Sequence, residues 1–271
     1  MKSTSDSRPI GIFDSGIGGL TVASAIARAM PKENIVYFGD TAHLPYGDKS
    51  PAAIRAYSSG IFEFLKSKNC KAIVIACNTA SALGANTVKK LAGKDIPVIN
   101  VIDPTVNHVV QNFTSGKIGV IATKGTVNSR VYAKRIEKRS ENLKVTMLAT
   151  PLLVSMIEEG FFNNNISQAI IDSYLSKSNL KDINGLILGC THFPLIKKEV
   201  EKFYPSKVQV IDSTEIVAQH TKNVLERHGL LNKTGKGSHH FFVSDLTPSF
   251  AESTEIFFGK KLRLEKRNLW V

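Results

Sequence analysis

The most informative segment of the chain is AIVIACNTAS, which occupies residues 72–81. Its first half is a short apolar run rich in β-branched side chains, which is typical of a strand buried on both faces. Its second half changes at once to small polar residues of the kind that begin helices. The pattern therefore predicts that Cys77 lies where a buried strand ends and a helix starts.

A second segment repeats this arrangement further along the chain. Residues 185–189 are the apolar run GLILG, and residues 190–194 have the sequence CTHFP. The proline suits the first turn of a helix. Cys77 and Cys190 therefore each follow a buried strand, and a helix start at each position would lower the pKa of the thiol. We expect the two thiols to face one pocket.

The order of the predicted elements also repeats. A strand at residues 10–13 leads into the loop DSGIGG at residues 14–19, and a strand at residues 117–122 leads into a polar loop at residues 123–129. The two loops are separated by about the same interval as the two cysteines, a little over 100 residues. We interpret this pattern as an internal duplication of two α/β units.

The duplication predicts two pseudo-symmetric, doubly wound α/β domains. Ligands of open α/β sheets bind beyond the carboxyl ends of the strands, so we expect the active site in the cleft between the domains. The second unit spans residues 101–212. The first comprises residues 1–100 together with residues 213–271, because it would be short of a full sheet without the C-terminal segment.

Composition excludes several classes of protein. Three cysteines and no apolar leader in residues 1–8 argue for a reducing cytoplasm and against a disulfide framework. No apolar run approaches the roughly 20 residues of a membrane helix. A net charge of +12 raises the alternative of a nucleic-acid-binding protein. The basic runs carry no interleaved aromatic side chains, so we expect a solvated surface that attracts a small anionic substrate.

The cysteine pair is compatible with three kinds of chemistry. A thiolate can be a nucleophile, a metal ligand or a base. Acyl transfer needs one thiol with one histidine and leaves the second cysteine unexplained. Cys77, Cys190 and His192 match no common zinc spacing, so we expect no metal. Two opposed bases acting on one carbon would use both thiols, with Asp14 and His192 as candidate proton partners. Cys70 lacks polar neighbours and is expected to be structural.

Five short motifs carry a resemblance to a known family. They are DSGIGGLT at residues 14–21, PYG at 45–47, CNTAS at 77–81, EEG at 158–160 and GCTHFPL at 189–195. Together, and in this order from residue 9 to residue 212, they resemble the glutamate racemases. The resemblance implies a cytoplasmic, cofactor-independent enzyme that interconverts L- and D-glutamate and supplies D-glutamate for peptidoglycan. We expect the enzyme to bind this small substrate and to bind neither nucleic acid nor a membrane. The resemblance is also compatible with a homodimer.

The resemblance also implies roles for individual residues. Cys77 would deprotonate D-glutamate and Cys190 would deprotonate L-glutamate, assisted by Asp14, by His192 and by Glu158 or its neighbour Glu159. Aspartate and hydantoin racemases remain the nearest alternatives. The residues that would contact the substrate are Asp14, Ser15, Tyr46, Gly47, Asn78, Thr79, Thr191 and His192.

Overall fold

Ten strands form two separate sheets within residues 5–204 and 208–270, the part of the chain that this computed structural model describes. The strands are β1 (Ile10–Asp14), β2 (Ile35–Gly39), β3 (Ala72–Ile75), β4 (Val98–Asn100), β5 (Gly116–Ala122), β6 (Leu143–Ala149), β7 (Gly185–Gly189), β8 (Gln209–Ile211), β9 (His239–Val243) and β10 (Leu264–Lys266). The first sheet has the order β10-β9-β2-β1-β3-β4 and the second has the order β6-β5-β7-β8.

The same strand order occurs in both sheets. In each one, the first strand of the unit lies between the second and the third, and the fourth lies outside the third. All these neighbouring strands are parallel, and β1, β3 and β7 are buried along their whole length. Parallel strands buried on both faces explain the uninterrupted apolar runs in the sequence. The predicted α/β class, with two parallel sheets, is confirmed.

Twelve helices in the described residues cover the sheets. They are α1 (Leu20–Ala29), α2 (Pro51–Ser67), α3 (Asn78–Leu83), α4 (Ala85–Ala92), α5 (Ile102–Asn112), α6 (Lys124–Ser129), α7 (Val131–Glu137), α8 (Pro151–Glu158), α9 (Asn165–Leu175), α10 (Lys197–Phe203), α11 (Ser213–Arg227) and α12 (Pro248–Phe258). The start of α2 has residue types that are typical of helix N-termini. Ser50 accepts a hydrogen bond from the backbone of Ala53 at the start of α2, and Pro51 occupies the first helical position.

Two local predictions differ from the structure. The segment after Cys190 is a 3₁₀ turn at Phe193–Ile196, and the α-helix begins only at Lys197. Residues 123–129 were expected to be a loop, but they contain α6. That helix has only six residues, too few for an apolar period to indicate it. It ends at Arg130, whose left-handed backbone (φ 54°) separates α6 from α7.

The C-terminal segment adds two strands to the first sheet. β9 pairs with β2, and β10 pairs with β9. The helices α11 and α12 both pack against α1. No helix within residues 5–204 and 208–270 is long and apolar enough to cross a bilayer. Of the N-terminal segment discussed above, residues 1–4 lie outside the described residues.

Candidate active site

Cys77 lies where β3 ends and α3 begins, as the sequence predicts. Its Sγ accepts a hydrogen bond from the backbone N–H of Ala80 at 3.4 Å, so the thiol caps the helix. The same sulfur donates to the hydroxyl of Ser15, 3.7 Å away, in the loop that follows β1. Because β1 and β3 are neighbours in the first sheet, their carboxyl ends bring these two residues together.

Cys190 directly follows β7 at the corresponding edge of the second sheet. Its Sγ lies 3.7 Å from Nδ1 of His192. The other ring nitrogen, Nε2, lies 2.9 Å from a carboxylate oxygen of Glu158 at the end of α8. Glu159 is exposed and has no such contact, so Glu158 is the glutamate that reaches the imidazole. The three side chains form a continuous row that begins at the thiol.

Both thiols line one cavity, and residues from both sheets form its wall. Seven of the eight predicted substrate contacts are on that wall, and Asp14 is the exception. Asp14 is fully buried behind it, where one carboxylate oxygen accepts from the backbone of Gly16 at 3.0 Å. The lining residues are Ser15, Gly16, Leu44, Pro45, Tyr46, Gly47, Cys77, Asn78, Thr79, Thr123, Val154, Glu158, Gly189, Cys190, Thr191 and His192.

Side chains from the two sheets touch across the cavity. The hydroxyls of Thr79 and Thr123 are 2.8 Å apart, and the hydroxyl of Thr21 donates to the carbonyl of Thr191 at 3.0 Å. His192 lies so close to the loop after β1 that a Cβ on Gly18 would be 2.3 Å from the ring. Only glycine fits there without displacing the imidazole. The two halves of the molecule are therefore in contact around the thiols.

One amide on the cavity wall has an unused donor. Asn78 is buried, and its Oδ1 accepts a hydrogen bond of 2.7 Å from the hydroxyl of Tyr132, which comes from the second half of the chain. Its Nδ2 finds no partner among the described residues. A buried N–H donor without a partner is costly, and an anionic ligand would satisfy it. The arrangement is that expected of a site for a carboxylate.

Burial and charge shift the pKa values of the site in particular directions. Burial raises the pKa of the Cys77 thiol to about 12, and the charge of Asp14 adds to this rise. The hydrogen bond from Ala80 at the helix start lowers this pKa, as the sequence predicts, but burial outweighs it and the net shift is upward. Burial also raises the pKa of Asp14, against the opposing charge of His192. Cys77 therefore holds its proton at neutral pH.

His192 behaves in the opposite way. Burial by itself would lower its pKa, but hydrogen bonds and charge from Cys190 and Glu158 outweigh burial and raise the pKa to about 10. The ring is therefore an imidazolium at neutral pH. This cation lies 3.7 Å from the Cys190 sulfur, whereas the charge near Cys77 is that of Asp14. The two cysteines thus have different electrostatic surroundings.

Several residues of the site were not found from the sequence. Thr123 lies in the second half at the position that Ser15 and its loop occupy in the first, so the duplication pattern could have indicated it. Val154 and Tyr132 belong to helices whose apolar pattern indicates only packing. Phe257 of α12 contacts the edge of the His192 ring, with 5.2 Å between centroids. No cluster of His, Cys, Asp or Glu within residues 5–204 and 208–270 could hold a metal ion.

Comparison with known proteins assigns the chain to a family. Residues 18–221 match the family model described as Asp/Glu/Hydantoin racemase. The chain is also 44% identical to a glutamate racemase of Chlorobaculum tepidum over 96% of both chains. The chain belongs to the Asp/Glu/Hydantoin racemase family. Within this family it is a relative of the glutamate racemases, which confirms the resemblance seen in the five motifs.

Solved structures of Asp/Glu/Hydantoin racemases agree with the fold. A glutamate racemase from Francisella tularensis, determined in complex with D-glutamate, has a TM-score of 0.92 and 41% identity over 97% of this chain and 98% of its own. An aspartate racemase homologue from Pyrococcus horikoshii has a TM-score of 0.54 and 18% identity, over 81% of this chain and 99% of its own. The second likeness concerns the fold alone.

Proposed function

We propose that the protein is a cofactor-independent racemase that interconverts L- and D-glutamate, with Cys77 and Cys190 as its two acid–base groups. The observation that carries this proposal is that two thiols, one from each of two sheets with the same strand order, line a single cavity. The identity of 43–44% to glutamate racemases over most of the chain supports glutamate as the substrate.

The reaction needs only one proton taken and one returned. From L-glutamate, the Cys190 thiolate removes the Cα proton and becomes a thiol, while the electron pair stays on Cα and its carboxylate. The Cys77 thiol then gives its proton to the opposite face of Cα and becomes a thiolate, and the product is D-glutamate. The reverse direction begins at Cys77. The raised pKa of Cys77 suits its part as proton donor in the first direction.

Charged neighbours assist each thiol. We assign His192 and Glu158 to Cys190, because the His192 ring contacts the Cys190 sulfur and Glu158 raises the pKa of that ring. We assign Asp14 to Cys77, because the negative charge of Asp14 raises the pKa of the Cys77 thiol. The like charges of Asp14 and a Cys77 thiolate repel, so the substrate ammonium would be needed nearby when Cys77 ionises.

The polar wall would hold the rest of the substrate. Asn78 Nδ2 and the hydroxyls on the wall are donors for the two carboxylates, and a buried donor that lacks a partner gains most from an anion. Asp14 lies behind the wall and would act on the substrate ammonium through its charge. The proposed contact residues on the wall are Ser15, Tyr46, Gly47, Asn78, Thr79, Thr191 and His192, and Asp14 acts from behind them.

The biological setting is part of the same proposal. The enzyme would work in the cytoplasm and supply D-glutamate for peptidoglycan. We propose residues 1–100 with 213–271 as one domain and residues 101–212 as the other, with the substrate between them. A homodimer stays a prediction, which measurement of the mass in solution by sedimentation would test.

The decisive experiment uses L-glutamate in deuterium oxide without any added cofactor. Wild-type protein should exchange the Cα proton and abolish the optical rotation, whereas Cys77→Ala and Cys190→Ala should each abolish racemisation because each removes one of the two proton carriers. Cys70→Ala is the matched control, since this third buried thiol lies away from the cavity and its loss should leave turnover intact. Racemisation by either single variant of the pair would refute the two-base mechanism.

The alternatives have separate outcomes in the same assays. Turnover of aspartate but not of glutamate would make the protein an aspartate racemase. Tight binding to nucleic acid with a steep dependence on salt, and no racemisation, would favour a basic nucleic-acid-binding protein instead.

A further inference from the structure

A second buried carboxylate, which the proposed reaction does not use, lies at the carboxyl end of β2. Asp40 is fully buried and accepts hydrogen bonds from four side chains. The donors are the Tyr46 hydroxyl at 2.7 Å, the Ser244 hydroxyl at 2.8 Å, the Trp270 indole N–H at 3.0 Å and the His43 ring at 3.0 Å. A carboxylate with this many donors is held in one orientation. We call these five residues the Asp40 cluster.

The tryptophan of the Asp40 cluster is fixed by aromatic packing. Its ring meets His43 and Tyr57 edge-on, with centroids 5.0 and 5.3 Å away, and the rings of His43 and Tyr57 are stacked on each other. Gly60 of α2 leaves the space that the indole fills, because a Cβ there would lie 2.8 Å from the ring. The indole of Trp270 therefore packs into a space on the surface of α2 that Gly60 leaves open, although Trp270 is near the end of the chain.

The Asp40 cluster reaches the candidate active site through Tyr46. This residue is 1% exposed and lies on the cavity wall beside Gly47, which in turn abuts Thr123 from the other half. Burial and the nearby Asp40 raise the pKa of Tyr46, so its hydroxyl remains a donor to Asp40. The hydroxyl is thus bound to Asp40, while Tyr46 and Gly47 both line the cavity.

We propose that Trp270 is a positioning residue for the substrate site, which it supports through Asp40 and Tyr46. Loss of the indole N–H would free Asp40 to rotate or to take up water, and the Tyr46–Gly47 wall would lose its fixed position. The inference rests on the proposed function, because the same cavity binds glutamate. It assigns the C-terminal end of the chain a part in substrate affinity.

The test compares Trp270→Phe with wild type in both reaction directions. Phenylalanine keeps an aromatic ring packed against α2 but lacks the indole N–H that donates a hydrogen bond to Asp40. We expect KM for L-glutamate and for D-glutamate to rise by about fivefold to tenfold each, with kcat changed less than about twofold, as for loss of one charge-assisted hydrogen bond that orders the binding wall. Leu269→Val is the matched control, because Leu269 packs against the same apolar cluster as Trp270 and has no side-chain donor for Asp40.

A purely structural Trp270 gives a different result. In that case both variants would lower Tm and leave KM unchanged at a temperature well below Tm, and this outcome would overturn the proposal. Because Trp270 is the one tryptophan of the sequence, its fluorescence reports on the tail directly. Saturating D-glutamate should change the emission of the inactive Cys77→Ala variant, and unchanged emission would also overturn the proposal. Absence of turnover in wild type would instead refute the proposed function.

Discussion

At the scale of single residues, the site combines features that the sequence predicts with others that only packing determines. The two strand-end positions of Cys77 and Cys190 follow from local pattern, and so does their meeting in one cavity. The direction of the Cys77 pKa shift does not, because it depends on how much of the thiol is buried and on how near Asp14 comes. The sequence pattern indicates which side chains lie close together. It does not indicate how far each of them is removed from water in the folded protein.

The charge of His192 is the residue-scale feature with the clearest dependence on pH. Its folded-state pKa is raised to about 10 from an ordinary 6.5, so its protonation stabilises the fold. This contribution is fully present below pH 6.5 and is lost as the pH rises toward 10. The free energy of unfolding should therefore decline over this interval in wild type, and less steeply in Glu158→Gln, which lacks one source of the raised pKa.

Urea titrations across the same pH interval measure this difference in slope. Glu159→Gln is the matched control, because it removes the same charge from the exposed neighbouring position. Its curve should run parallel to that of wild type. Parallel curves for all three proteins would mean that Glu158 does not set the charge of His192.

At the scale of elements, the C-terminal helix α12 contributes more to the site than its sequence indicates. It spans Pro248–Phe258, and a proline at its first position is typical of a helix start. The sequence gives no sign that Phe257 meets His192, since the contact joins segments from opposite halves of the chain. Local patterns of this kind predict that a helix forms and leave its neighbours undetermined.

Replacing Phe257 should impair turnover more than it impairs folding. Phe257→Leu keeps the site apolar but loses the ring contact, and an aromatic pair contributes about 0.5–1.5 kcal/mol. If that loss falls on the orientation of His192, kcat/KM should fall by roughly threefold to tenfold. The fall should be the same from L- and from D-glutamate, because the two enantiomers have equal free energy.

The neighbouring phenylalanine provides the control for this helix. Phe258 packs on Phe241 and His239 of β9 rather than on His192, so Phe258→Leu should lower stability and leave kcat/KM unchanged. Circular dichroism and initial rates separate the two variants. Unchanged kcat/KM in Phe257→Leu would mean that the ring serves packing alone.

At the scale of the whole molecule, the duplication is the part of the fold that sequence predicts best. Repeated strand-loop-helix order predicts two similar sheets, and β2-β1-β3-β4 and β6-β5-β7-β8 agree with it. The contacts that join distant segments are harder to predict, because each depends on a few side chains far apart in sequence. The hydroxyl contact between Thr79 and Thr123 is one case, and the buried ion pair of Lys71 with Glu33 is another.

The ion pair of Lys71 and Glu33 joins the first sheet to both ends of the chain. The Lys71 ammonium lies 2.5 Å from Glu33, and it donates to the Asp6 carbonyl at 2.6 Å. The other oxygen of Glu33 accepts from the backbone of Asn232 at 2.7 Å. Both charged side chains are almost fully buried, so removal of one charge leaves the other in a medium of low dielectric constant.

Lys71→Met should therefore lower the free energy of unfolding by about 3–5 kcal/mol, as measured by urea titration. The double variant Lys71→Met with Glu33→Gln should recover much of this loss, because it removes the uncompensated charge and keeps an acceptor for Asn232. Lys66→Met, which breaks an exposed pair with Glu63, should cost less than about 1 kcal/mol. Equal destabilisation in the single and double variants would show that Lys71 acts through its packing and its bond to the Asp6 carbonyl, and that the buried charge of Glu33 contributes little.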